Sequence, residues 1–96
     1  MSEVWLITGC SSGLGISLTL AALKAGHQVI ATSRNPYRTP DLISQVESLG
    51  GTWRALDVSD PKGGSVIKGI IEEFGRIDVL INNAGVALIG AFEDIR

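Results

Sequence analysis

The sequence predicts an α/β domain in which a parallel sheet is covered by helices on both faces. Three observations carry that expectation. Apolar runs of strand length alternate with stretches of helical period. Two of the runs, Val29-Ile30-Ala31 and Val79-Leu80-Ile81, are apolar at every position, as suits strands buried on both sides. A glycine-rich stretch falls where the first strand should hand over to the first helix.

Taken in order, strands are expected near 4–8, 27–33, 52–57 and 77–82. Leu14, Leu18, Ala21, Ala22 and Ala25 recur at helical spacing and predict a first helix that turns this stripe to the sheet. Leu42, Ile43, Val46 and Leu49 do the same for a second. Thr39-Pro40 and Asp60-Pro61 read as N-caps followed by proline in the first turn, and Gly26, Gly50 and Gly75 stand where helices should stop. The third helix has the stripe Val66, Ile67, Ile70, Ile71 and Phe74. It is interrupted by Gly63, Gly64 and Gly69, each costing up to about 1 kcal/mol relative to Ala, so packing must hold it together. The run β-α-β-α-β-α-β fits a doubly wound sheet of order 3-2-1-4, truncated after the fourth strand. The apolar stretch from Val86 to Phe92 reads as a substrate-side loop. An exposed fourth-strand edge would follow, which suggests a missing C-terminal segment or an oligomer.

Bulk properties narrow the function. Ninety-six residues make one small domain. Eight Lys and Arg against ten Asp and Glu give a net charge of −2, and the basic residues are scattered, so no nucleic-acid partner is expected. No apolar run is long enough for a membrane span. The lone Cys10 cannot form an internal disulfide, and Met1-Ser2-Glu3 does not open a secretion signal, so a reducing, cytoplasmic setting is expected. No metal-ligand cluster stands out.

The stretch LITGCSSGLGIS, Leu6 to Ser17, contains Gly9, Gly13 and Gly15. A strand-to-helix turn uses one glycine at positive φ, which leaves two unexplained. A pyrophosphate lying across a helix N-terminus accounts for all three. Bare backbone N–H groups reach its oxygens, the helix dipole favours its charge, and a missing Cβ lets helix and strand pack closely. A Walker A loop opening at Gly9 requires glycine at 14 and lysine at 15, where the chain has Leu14 and Gly15; triphosphate hydrolysis is excluded. The spacing G-x-x-x-G-x-G also departs from G-x-G-x-x-G.

Thr8-Gly9-Cys10-Ser11-Ser12-Gly13-Leu14-Gly15 resembles the TGxxxGxG loop of the short-chain dehydrogenase/reductase family in its classical branch. The extended branch has glycine where this chain has Ser12. Asn82-Asn83-Ala84-Gly85 is similar to that family's NNAG signature, and Leu56-Asp57-Val58 ends the third strand where the family keeps an aspartate near the adenine. Alone, Asn-Asn-Ala-Gly is an ordinary turn and Asp57 a capping carboxylate. Together the motifs mark three strand ends, and strand ends are where open α/β sheets bind ligands. The resemblance covers nearly the whole chain. It implies a Rossmann-like fold and a single cofactor-binding domain over residues 1–96, incomplete at the C-terminus.

The second strand bears on the ribose. A site for NAD places Asp or Glu roughly 20 residues after the loop to accept from the 2′-hydroxyl. Here Ser33 stands 24 residues after Gly9, with Arg34 next. No acid repels a 2′-phosphate, and a guanidinium can pair with one, so NADP is favoured over NAD. The competing reading is an Arg34 that merely ends a strand in solvent. Ser11 or Ser12 could also reach the phosphate. Cys10 reads as a small filler, His27 as a surface or turn residue without a partner, and Glu72, Glu73, Asp78, Glu93 and Asp94 as solvated charges.

The resemblance further implies hydride transfer between NADPH and a carbonyl or alcohol of a small-molecule substrate. In the family a Tyr acts as general acid/base, a Lys lowers its pKa, and Ser and Asn complete the site, all following the NNAG element. This chain has one tyrosine, Tyr37, after the second strand, and no Tyr-x-x-x-Lys. No catalytic residue is therefore assigned. Two readings stay open: the cofactor-binding half of an NADP-dependent oxidoreductase, inactive by itself, or a non-catalytic dinucleotide-binding or interaction module. A methyltransferase with a similar loop is disfavoured, because the second strand lacks the acid for ribose hydroxyls.

Overall fold

The computed structural model describes residues 2–11, 13–57, 61–82 and 87–93. Five strands form one sheet: β1 (Val4–Thr8), β2 (Gln28–Ser33), β3 (Thr52–Ala55), β4 (Arg76–Asn82) and β5 (Ala87–Glu93), in the order β3-β2-β1-β4-β5. Three helices, α1 (Gly13–Lys24), α2 (Pro40–Ser48) and α3 (Gly63–Phe74), connect the first four strands, with a 3-10 turn at Pro36–Arg38. The four expected strands are all present, parallel, and in the order 3-2-1-4.

The helices divide between the two faces of the sheet. On one face Ala22 of α1 and Val46 of α2 pack with Ile7, Val29, Ala31 and Trp53. On the other, Ile70 of α3 packs with Val4, Leu6, Ile30 and Ile77, flanked by Ile67, Ile71 and Phe74. Alternation of Cβ along each strand produces this split: Leu6 and Ile7 are neighbours in sequence, both fully buried, and belong to opposite cores.

Five expectations need correction. The fourth strand has no exposed outer edge, because β5 pairs with it antiparallel, from Arg76↔Glu93 to Ile81↔Ala87. The stretch read as a substrate-side loop is mostly strand. Backbone N–H and C=O groups on an apolar central strand need partners, and the apolar segment that follows supplies them. The stripe assigned to α1 is right only at Leu18 and Ala22, which pack in the core. Leu14 is 64% exposed and Ala21 and Ala25 are exposed, whereas Gly15, Thr19 and Ala22 form the buried face. Apolar residues run nearly all round this helix, so periodicity alone cannot choose its inner face. The third helix starts at Gly63, with Pro61 and Lys62 in a preceding turn. Lastly, Asp78 is half-buried: its Oδ2 accepts from the Val4 N–H at 2.8 Å and from Arg76 Nε at 3.0 Å, tying β4 to the start of β1.

Other boundaries agree. Thr39 precedes Pro40 at the start of α2, although its hydroxyl makes no capping bond. Gly26, Gly50 and Gly75 follow the three helices at φ of 92°, 91° and 89°. His27 has partners that its sequence context does not show: Nδ1 accepts from the Glu3 N–H at 3.1 Å, and the ring stacks on Trp5.

Candidate functional site

The carboxyl ends of β1, β2, β3 and β4 lie side by side, and the sequence motifs sit on them. The register pairs Thr8 with Asn82, so the residue before the glycine loop stands beside the first residue of the Asn-Asn-Ala-Gly motif on adjacent strands. Thr8 Oγ1 also donates to the Ile81 carbonyl at 3.4 Å. Since β1 sends its chain to one side and β4 lies on the other, this is the switch point of the sheet, where a crevice opens in folds of this order.

Each loop glycine has its own task. Gly9 turns at φ 66°, in the left-handed region. A Cβ on Gly15 would stand 2.4 Å from the Gly9 carbonyl oxygen and 2.9 Å from the Cys10 Cα, so only glycine lets α1 approach the loop this closely. A Cβ on Gly13 would meet nothing within 4 Å. Thus Gly15 answers to packing within the protein, and Gly13 meets no such demand. Ser11 and Leu14 are exposed beside it.

Beneath the loop lies a buried set of hydrogen bonds. The Cys10 N–H donates to the Thr32 carbonyl at 2.9 Å, joining the loop to β2. Cys10 Sγ is fully buried, 3.2 Å from the Ile7 carbonyl and 3.3 Å from Thr19 Oγ1, and Thr19 Oγ1 donates to the Gly15 carbonyl at 2.9 Å. Thr32 Oγ1 donates to the Ile7 carbonyl at 3.0 Å. Burial pushes the Cys10 thiol above its ordinary value, against smaller opposing effects of Thr19 and the Thr32 backbone. It is a structural thiol. Thr19 and Thr32 escaped the sequence reading; the signal was a hydroxyl residue on the helix and strand that flank a glycine loop.

At the end of β2 the two residues of interest part company. Ser33 is buried, and its Oγ accepts from Trp53 Nε1 at 3.0 Å, a bond inside the sheet. Arg34 is exposed. Arg34 lines a cavity of about 220 Å³ together with Ala55, Leu56, Asp57, Lys62, Gly63 and Val66. The Leu56 N–H bonds to the Ser33 carbonyl at 2.9 Å, which holds the ends of β2 and β3 together under this cavity. Of the other candidates, Ser12, Val58, Asn83, Ala84 and Gly85 lie outside the described residues. Among the described residues no three His, Cys, Asp or Glu are grouped to hold a metal, and no helix is long and apolar enough to cross a membrane.

A sheet wound in this order, with a glycine loop at its switch point, defines an α/β protein of the Rossmann-like class. The family model for short chain dehydrogenases matches residues 3–96. The chain is 47% identical over 95 residues to Oxidoreductase claN of Passalora fulva and 45% identical over 96 residues to Oxidoreductase BOA17 of Botryotinia fuckeliana. These matches take in 98% and 99% of this chain, and 43% and 35% of the two relatives. Among solved structures, L-sorbose reductase from Gluconobacter frateurii, complexed with NADPH and L-sorbose, superposes with a TM-score of 0.75 at 31% identity. That match covers 88% of this chain and 34% of the reductase chain. The chain belongs to the short-chain dehydrogenase family, a family of oxidoreductases that use nicotinamide dinucleotides.

Proposed function

We propose that the protein is an NADP-dependent short-chain oxidoreductase, acting on a carbonyl or alcohol substrate, and that residues 1–96 supply its cofactor-binding half. One observation carries the cofactor choice: the first residue beyond β2 is an exposed arginine, preceded by a buried serine, with no carboxylate where a 2′-hydroxyl acceptor would stand. The NADPH complex of the similar L-sorbose reductase supports it.

The residues present fit a dinucleotide. Gly9 and Gly15 shape the loop, the open space over Gly13 admits a pyrophosphate, and the dipole of α1 favours its charge. Arg34 offers a planar fork of donors to a phosphate monoester. When bound, the nicotinamide supplies the hydride. The chain's own residues hold and orient the cofactor. The Tyr and Lys that move the proton in this family have no counterpart within the 96 residues, since Tyr37 is exposed in the 3-10 turn after β2, with β1 between that strand and β4.

The test is a side-by-side titration with NADPH and NADH. NADPH should bind more tightly, and Arg34→Ala should erase most of the difference. A charged hydrogen bond contributes roughly 1.5–3 kcal/mol, less at an exposed site. Equal affinities for the two cofactors would refute the assignment.

A further inference from the structure

Three hydroxyl side chains near the carboxyl ends of the strands each tie one strand to a neighbour. Thr8 on β1 bonds to the Ile81 carbonyl of β4, and Ser33 on β2 accepts from Trp53 of β3. Thr32 reaches the other way, from β2 to β1, where its Oγ1 donates to the Ile7 carbonyl at 3.0 Å. Thr32 is fully buried.

Thr32 differs from the other two in meeting the same turn twice. The chain leaves β1 through Ile7-Thr8-Gly9-Cys10, and Gly9 turns there at φ 66°. At the start of this turn the Ile7 carbonyl accepts from Thr32 Oγ1 and from Cys10 Sγ, the latter at 3.2 Å. At its end the Cys10 N–H donates to the Thr32 carbonyl at 2.9 Å. One residue of β2 thus holds both ends of the turn, by its hydroxyl at one and its carbonyl at the other. A branched Cβ restricts χ1, so the direction of the hydroxyl is set by the strand that carries it. Water does not replace this bond, because Thr32 and Ile7 both have no exposed surface, and a thiol is a weak donor by comparison. From Cys10 the network runs on through Thr19 Oγ1 to the Gly15 carbonyl, so the grip on the turn extends to the start of α1.

We infer that Thr32 is a positioning residue for the glycine loop: without touching the cofactor, it fixes the point at which the chain leaves β1 and hence how the loop meets a pyrophosphate. This rests on the dinucleotide reading above. A turn that is already ordered loses little entropy when the anion arrives, whereas a freed turn loses more. The pyrophosphate is common to NADPH and NADH. Thr32 therefore acts on both cofactors alike, while Arg34 acts on the difference between them.

The experiment measures dissociation constants of NADPH and NADH, with thermal melts, for the full chain and for Thr32→Val, Thr32→Ser and Ile70→Val. Thr32→Val keeps the shape and removes the donor; it should weaken both cofactors about tenfold, as when one buried hydrogen bond is expressed in binding. Thr32→Ser keeps the hydroxyl and should restore most of the affinity. Ile70→Val trims a core cluster that includes no residue of the turn, so it should lower the melting temperature and leave both constants unchanged. Wild-type affinity in Thr32→Val, or a Thr32→Ser variant as weak as Thr32→Val, overturns the role of Thr32. Equal weakening by Ile70→Val also overturns it, because it marks a general loss of stability. Should Thr32→Val not fold, native-state hydrogen exchange of the wild type decides: the Cys10 amide should exchange as slowly as those of β1, and fast exchange there overturns the inference. A wild type with equal affinity for the two cofactors removes the NADP assignment and leaves Thr32 standing. A wild type that binds neither removes the dinucleotide reading, and the inference falls with it.

Discussion

Gly13 and Gly15 stand two residues apart and answer to different demands, which separates the effects of changing them. Gly15→Ala drives a methyl into the Gly9 carbonyl, 2.4 Å away, with backbone on both sides of the overlap. It should cost about 1–3 kcal/mol of stability and, by displacing the loop, weaken both cofactors. Gly13→Ala meets nothing in the protein. It should leave stability unchanged or raise it by up to about 1 kcal/mol, while lowering affinity for NADPH and NADH alike. Denaturant melts paired with titrations check both, and a neutral Gly15→Ala would refute the packing role.

Cys10 makes a second prediction at this scale. Burial raises its pKa in the fold, so the neutral thiol favours the native state. The stabilisation is complete below the unfolded thiol's ordinary value of 9.0 and is lost as pH climbs from there toward the folded value. Native protein should therefore resist thiol reagents at neutral pH and react only as it unfolds. Cys10→Ala should flatten the alkaline loss of stability in pH-dependent melts.

Helix α1 shows how an element can be recognised and its orientation missed. Its twelve residues, GLGISLTLAALK, are apolar on most sides. What orients the helix is the contact of Gly15 with the loop and the bond from Thr19 to the Gly15 carbonyl. Both are polar or backbone features, and an apolar periodicity gives no sign of them. Thr19→Val keeps the shape, removes the donor to Gly15 and leaves Cys10 Sγ without its hydroxyl neighbour. It should destabilise by about 1–2 kcal/mol in denaturant melts and lower cofactor affinity through the loop. Unchanged stability would show that the buried hydroxyl is dispensable.

Across the whole molecule, β5 makes β4 an interior strand, so the sheet has three interior strands, β2, β1 and β4, between edges formed by β3 and β5. Opening an interior strand breaks two ladders and one or both cores. Amide hydrogen exchange should accordingly be slowest at Leu6, Ile7, Val29, Ile30 and Leu80 and faster along β3 and β5. Fast exchange throughout β4 would contradict the antiparallel pairing.

The order 3-2-1-4 was implied by the resemblance to a family of that topology; the alternation of strand-sized apolar runs with helical stripes, read with the glycine loop, determined the class of fold and the strand ends at which a nucleotide would be held. These are local properties, written in periods of two and 3.6 and in a few backbone-permissive residues. Only the tertiary structure decided which face of α1 turns inward, that Ser33 serves Trp53 while Arg34 faces outward, and that Asp78 ties two strands together. It also decided that the stretch after the fourth strand returns as β5, and that Lys62 joins Arg34 around one cavity. Each of these depends on a partner tens of residues away, and a contact between distant segments leaves no period in the sequence of either one.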